Sequence, residues 1–245
     1  MTFNHEKYII KHYIVVLLES EETDMKYKAV IFDLDGTLVD SLDDIAYSAN
    51  NALSMHGFNC HPTQAYRYFV GNGVRHMIKS AAPQDTGDEV IDAVLQDFRK
   101  IYNNNYINKT KPYDNIIQLL NKLQEMAVKM AVISNKLHKP TKEIVEKVIG
   151  EKYFQLVFGE REGIPRKPDP AALLEAAAIM GVKPSEAIYL GDSGSDMLCA
   201  RNADMLAAGA LWGFREKEEL VEAGCQVLFL QPLDLIEFMN KSNMD

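Results

Sequence analysis

Two hydrophobic rhythms alternate along the chain from residue 27 onward. Short, β-branched apolar runs stand at 28–32, 129–134, 156–159, 187–191, 205–211 and 226–230. Between them, segments 113–126, 140–150, 170–181, 196–203 and 232–241 place apolar residues every three or four positions. Near-continuous apolar runs are what strands buried on both faces require, and the longer period is that of an amphipathic helix. Strand and helix taken in turn predict an α/β fold, a Rossmann-like parallel sheet core with helices on both faces.

Residues 42 to about 110 break this alternation. Apolar positions there follow helical spacing, first Ile45, Ala49 and Leu53, then Val90, Val94, Leu95, Phe98 and Tyr102, with no convincing strand. An all-helical insertion after the first strand is the economical reading. It divides the chain into a core of 26–41 and 111–245 and an inserted domain of 42–110, with two connecting segments near 39–42 and 109–112 running side by side as a hinge. The first 25 residues read as an N-terminal extension. Its apolar run at 8–18 is interrupted by Lys11 and His12, too short to span a bilayer, and without the basic start and cleavage site of a signal peptide. A natural start at Met25 and an extra strand or helix packed on the domain are the two readings of that segment.

Composition narrows the function. With 47% hydrophobic and 25% charged residues the chain is an ordinary globular protein. A net charge of -9 and a pI near 5.2 argue against a nucleic-acid binder, which needs a concentrated basic footprint, but leave room for a small anionic substrate. Three scattered cysteines, Cys60, Cys199 and Cys225, indicate neither a disulfide framework nor a zinc site, and fit a reducing, cytoplasmic setting.

Ligands of parallel α/β sheets bind outside the carboxyl ends of the strands. The residues found there are Asp33 and Asp35 after the first run, Ser134 and Asn135 after the second, and Asp192 and Asp196 after the fourth, with Lys167 in "RKPDP" able to reach the same crevice. Each signal alone has an ordinary explanation. Asp-x-Asp-Gly occurs in turns and calcium loops, although a calcium loop would not continue with Thr37, Leu38 and Val39. Ser134 and Asn135 suit a helix cap, Lys167 a solvated surface, and "GDSGSD" (191–196) a glycine-rich turn.

All four together, in this order, resemble the haloacid dehalogenase-like hydrolase superfamily, over roughly residues 26–240. Its first motif matches "DLDGT" (33–37), its second Ser134, its third Lys167 within "KPDP", and its fourth "GDSGSD". The stretches "DLDGTLVDS", "GNG" (71–73), "RKPDP" and "LWGFR" (211–215) look most like phosphoglycolate phosphatases and their near relatives. The resemblance implies that the insertion is an all-helical cap domain and that the reaction is Mg²⁺-dependent hydrolysis of a small phosphorylated metabolite, with no nucleic acid and no membrane involved.

Residue by residue, it implies that Asp33 attacks phosphorus and that Asp35 donates and later accepts the proton. Asp33, Asp192 and the main-chain carbonyl of Asp35 hold the Mg²⁺, and Asp196 orients Lys167 or a water, or ligates directly. Ser134 and Lys167, with main-chain N–H groups near Leu34, Asp35 and Asn135, bind the phosphoryl oxygens; Gly36 and Thr37 belong to the same substrate loop. The neighbouring negative charges should favour the protonated form of Asp35. A cation is needed because two like unit charges 4 Å apart repel by roughly 4 kcal/mol at an effective dielectric of 20. In the cap, Gly71, Asn72 and Gly73 offer N–H groups to an anion, and Arg75 pairs with a substrate carboxylate; the other reading there is a plain turn with a solvated arginine.

Asp35 also excludes haloacid dehalogenation, since halide needs no proton. A nucleoside monophosphate, sugar phosphate or pyrophosphate substrate stays open. So do a sugar phosphomutase, with His56 and His76 as cap histidines, and a binding protein without turnover. Asp204 stands where relatives carry glycine, and aspartate tolerates the left-handed turn expected there.

Overall fold

The computed structural model describes residues 25–242. Strand β1 (Ala29–Phe32) is buried along its whole length and serves two cores by alternation. Val30 and Phe32 belong to one core, Ala29 and Ile31 to the other, as period-two geometry dictates for a strand covered on both faces. After β1 the chain turns through Gly36 into the two-residue β2 (Val39–Asp40). It then runs through α1 (Leu42–Met55), α2 (Tyr66–Phe69), α3 (Val74–Ala81) and α4 (Asp88–Tyr102), and returns by β3 (Lys111–Pro112).

Strands β2 and β3 pair antiparallel, Val39 opposite Pro112 and Asp40 opposite Lys111. The buried Asp44 carboxylate, in the first turn of α1, reinforces this junction. It accepts from the N–H groups of Lys109 and Thr110, both at 2.9 Å, and from the Thr110 hydroxyl at 2.8 Å. The helices between β2 and β3 close on an apolar interior that includes Leu53, Tyr66, Ile78, Ile91, Val94 and Phe98.

The rest of the chain alternates as α5 (Ile116–Glu125), β4 (Lys129–Leu137), α6 (His138–Ile144), β5 (Leu156–Glu160), α7 (Ala171–Met180), β6 (Ala187–Gly191), α8 (Gly194–Asn202), β7 (Leu206–Ala210), α9 (Lys217–Glu222), β8 (Val227–Phe229) and α10 (Asp234–Ser242). Six strands form one parallel sheet in the order β5-β4-β1-β6-β7-β8. The β1 strand lies centrally between β4 and β6, so the carboxyl ends of these three strands open into one crevice.

Two elements depart from the sequence reading. Strand β4 runs three residues past 134, taking in Asn135, Lys136 and Leu137, and its register against β5 shifts between Ile133 and Leu137. Such a bulge re-aims side chains, here at the edge of the crevice. Helix α9 was not expected, because "KEELVE" buries only Leu220 and shows no apolar period. Asp204 takes the left-handed conformation at φ 57°, as anticipated. The N-terminal segment 1–24, and with it the choice between its two readings, lies outside the described residues. Among the described residues no helix is long and apolar enough to cross a membrane.

Candidate active site

The strand ends deliver three carboxylates, Asp33, Asp35 and Asp192, and two lysines to one cleft of about 640 Å³, its open mouth included, with a fourth carboxylate, Asp196, fully buried against Lys167. Asp33 follows β1, Asp192 and Asp196 follow β6, Ser134 and Lys136 lie at the end of β4, and Lys167 precedes α7. Carboxylate oxygens of Asp33, Asp192 and Asp196 lie within 4.8 Å of one another, all three residues buried.

Each member of this cluster has its own support. Asp196 is fully enclosed and meets four donors: Lys167 Nζ at 2.6 Å and the Tyr189 hydroxyl at 3.0 Å on Oδ1, and the Ser193 N–H at 3.0 Å and hydroxyl at 2.6 Å on Oδ2. Its carboxylate therefore acts chiefly on Lys167 and on the start of α8. Asp192 accepts from the Thr37 hydroxyl at 3.2 Å and from the Phe214 N–H at 2.7 Å. Asp33 is less provided for. Lys167 Nζ comes within 2.8 Å of its Oδ1, but out of hydrogen-bond alignment, and that buried oxygen has no hydrogen-bond partner.

These surroundings set the charges. Burial pushes Asp33 up to about 7, with Asp196 and Asp35 adding to the rise and Lys167 opposing it. Burial, then the charges of Asp196 and Asp33, push Asp192 well above the ordinary carboxylate range. Burial works against the Lys167 charge too, yet Asp196 and Asp33 hold its ammonium above the usual lysine value. An all-oxygen donor set suits a hard cation such as Mg²⁺. Two buried acids that repel each other, Asp33 and Asp192, are the further sign that these residues fit one: a dication would relieve that repulsion.

Asp35 lies outside this cluster. Its Oδ1 accepts from the Ser41 hydroxyl and from Lys136 Nζ at 2.8 Å, and its Oδ2 from the same Nζ at 3.0 Å. The charged group in direct contact with Asp35 is thus the buried ammonium of Lys136. Lys136 and Ser41 were absent from the sequence reading. Adjacency to "SN" was the available signal for Lys136, but nothing in a strand-end pattern distinguishes a lysine turned inward.

Several expected substrate residues are placed differently. Arg75 projects from α3 to the outside, where its Nε and Nη2 pair with Asp92 and Asp88, both at 2.9 Å. Helical spacing puts these acids within its reach, and neither Arg75 nor Asn72 lines the cleft. Gly36 and Thr37 lie beneath it and shape Asp192 instead: Gly36 has φ +87°, and a Cβ there would stand 2.1 Å from Asp192 Oδ2. Gly71 and Gly73 do line the cleft. The Asn135 side chain is already engaged, donating to the Gly71 carbonyl at 3.0 Å and accepting from the Lys167 N–H at 2.9 Å. His56 pairs with Asp97 at 3.0 Å, and neither it nor His76 reaches the cleft.

The arginines that do line the cleft are Arg67 and Arg215. Arg67, on α2, donates to the carbonyls of Phe214 at 2.9 Å and Gly213 at 2.8 Å. Arg215 reaches back to the carbonyls of Arg67, Tyr68 and Val70. This reciprocal strap binds the helical insertion to the loop after β7, whose Phe214 N–H holds Asp192. Trp212, from the same loop, donates its indole N–H to the Thr37 carbonyl at 2.9 Å. "LWGFR" could be quoted from sequence, but that Arg215 grips the other domain could not.

A parallel α/β sheet that gathers buried carboxylates and a lysine at its carboxyl edge, beside a helical insertion, has the donor set that could hold a metal ion next to a positive charge. The chain belongs to the haloacid dehalogenase-like hydrolase family, whose model matches residues 30–210. It is 30% identical over 213 residues to the phosphoglycolate phosphatase of Aquifex aeolicus (strain VF5), covering 87% of this chain and 97% of that one. It is 29% identical over 225 residues to the phosphoglycolate phosphatase of Psychrobacter arcticus, covering 89% and 98%. A solved structure from Lactobacillus delbrueckii subsp. bulgaricus superposes with a TM-score of 0.83 at 30% identity, covering 88% of this chain and 99% of the other.

Proposed function

We propose that this hydrolase is a Mg²⁺-dependent phosphatase that hydrolyses a small phosphomonoester through an aspartyl-phosphate on Asp33, with 2-phosphoglycolate the first candidate. The observation that carries the reading is the division of labour between two carboxylates two residues apart. Asp33 shares the acidic cluster with Asp192 and has Lys167 at 2.8 Å, whereas Asp35 is held outside that cluster by a different lysine. One group is set for attack, the other for proton transfer.

In this mechanism Asp33 attacks phosphorus, the P–O ester bond breaks, and the departing oxygen takes the proton of Asp35. Asp35 then takes a proton from the water that hydrolyses the aspartyl-phosphate, which regenerates Asp33 and releases phosphate. Asp33, Asp192 and the Asp35 carbonyl would hold Mg²⁺, which supplies the positive charge that offsets repulsion between carboxylate and phosphate. Asp196 positions Lys167, and Lys167 and Ser134 bind the charge spread over the phosphoryl oxygens.

Residues 42–110 are the cap, hinged at the β2–β3 pair and closing the cleft against water. The positive charge for an anionic leaving group comes from Arg67 and Arg215 rather than from Arg75. The free thiols of Cys60, Cys199 and Cys225 are compatible with the cytoplasmic setting. The test is phosphate release from a panel of phosphorylated metabolites with and without Mg²⁺, beside the Asp33→Asn variant. Metal-dependent release, abolished in the variant and greatest for 2-phosphoglycolate, supports the reading. A lead for nucleotides, sugar phosphates or pyrophosphate changes the substrate only, and turnover retained by Asp33→Asn overturns the mechanism.

A further inference from the structure

Lys136 has no assigned part in this scheme, since Lys167 already serves the phosphoryl group. Its position is nonetheless specific. The side chain is buried, and its Nζ touches both oxygens of Asp35 at 2.8 and 3.0 Å. Below it, 4.9 Å from Nζ, is the centre of the Tyr102 ring, from the last turn of α4. Burial works against the charge on this ammonium, and the facing Asp35 carboxylate opposes that effect. Stability does not explain such a pair, because replacing a buried ion pair with apolar side chains is often neutral or stabilising.

We propose that Lys136 is a positioning residue for proton transfer to the leaving group. It fixes Asp35 through both oxygens at the edge of the cleft and stands opposite the negative charge that the transfer creates. When the ester P–O bond breaks, the O–H bond of the leaving alcohol forms at the expense of the Asp35 O–H bond. The carboxylate left behind is the species whose two oxygens Lys136 contacts. Ser41 fixes Oδ1 from a second side, so the carboxyl group has little freedom to rotate away. The inference rests on the reading of Asp35 as the acid.

Leaving groups separate this role from a structural one. An alkyl phosphate expels an alkoxide that needs the proton, whereas 4-nitrophenyl phosphate expels a stable phenolate that does not. First-turnover release of each leaving group is measured for the wild type, Lys136→Met, Lys136→Gln, Lys136→Arg and Asp35→Asn. Because both substrates report on one preparation, a poorly folded fraction lowers the two rates equally and leaves their ratio unchanged.

The expected result is a loss on the order of 100-fold with the alkyl ester in Lys136→Met and Lys136→Gln, the size of general acid catalysis, and less than about tenfold with the aryl ester. Lys136→Arg, which keeps the charge, recovers part of the alkyl rate. Equal losses on both esters, or none, in the neutral lysine variants while Asp35→Asn shows the selective loss would overturn the role of Lys136 and leave Asp35 as the acid. Absence of selectivity in Asp35→Asn overturns the reading of Asp35, and the proposal falls with it.

Discussion

Asp33→Asn should make the metal-free protein more stable while removing its activity. In the folded chain Asp33 holds its proton up to about pH 7, against an ordinary value of 3.8, chiefly because it is buried. The folded state therefore binds the proton more tightly than the unfolded state. The stability tied to that proton is fully present below about pH 4 and is lost as pH rises through 7. A shift of roughly three units corresponds to about 4 kcal/mol at pH 8, falling to roughly 1 to 2 kcal/mol at pH 5.

Asparagine has nearly the shape of the protonated acid and never acquires the charge, so the variant escapes this loss. The attraction of Lys167 for the carboxylate already lowers the Asp33 value, so it needs no separate subtraction, and Lys167 keeps Asp196 at 2.6 Å. Urea unfolding in EDTA, followed by the fluorescence of the single tryptophan, Trp212, and by circular dichroism, measures the difference at pH 5 and pH 8. A gain of this size raises the midpoint temperature on the order of 10 °C in a domain of this length. Adding Mg²⁺ should shrink the gap, because the ion binds and stabilises the carboxylate form. An Asp33→Asn protein less stable than the wild type at pH 8 in EDTA would refute the argument that burial of this charge strains the fold.

The raised values of Asp33 and Asp192 also mean that Mg²⁺ competes with protons. Affinity measured by calorimetry should fall as pH drops from 8 to 6; a constant affinity across that interval would remove these two acids as ligands. Arg215→Ala deletes the guanidinium that grips three carbonyls of the helical insertion, those of Arg67, Tyr68 and Val70. Charge-assisted hydrogen bonds are worth roughly 1.5 to 3 kcal/mol each, so even one lost net predicts at least about a tenfold drop in kcat/KM if closure precedes chemistry. A change within twofold would show that the strap does not hold the productive state.

Much of this architecture was legible because burial on both faces leaves a plain mark. The runs at 28–32, 129–134 and 187–191 read as buried strands, and residues 42–110 carried no such run. The polar residues ending those strands stood out because an apolar core has no use for them. What could not be read were contacts between segments far apart in sequence. Lys136 and Arg67 look like ordinary solvated cations until the bulge in β4 and the folding of the helical insertion turn them inward. Arg75 drew attention through its neighbours, Gly71 and Gly73, but Asp88 and Asp92 on the next helix claim it. Local pattern reports which face of an element is buried; it does not report which distant charge a long side chain will meet.

The glycines on either side of Asp192 have a consequence for how this chain can vary. A Cβ on Gly36 would lie 2.1 Å from Asp192 Oδ2, and one on Gly213 would lie 2.3 Å from Asp192 Cβ. Every codon change that replaces either residue adds that atom, and at Gly36 it must also force a side chain into a positive φ. The carboxylate is gripped between two bare stretches of backbone, one from each end of the chain's core. A saturation library selected for activity should therefore show these two positions empty of substitutions while Asn72 and Arg75, which lie in the helical insertion away from the cleft, fill with alternatives. Diversity in this enzyme should then collect in the helical insertion, while the floor under Asp192 stays closed to mutational drift.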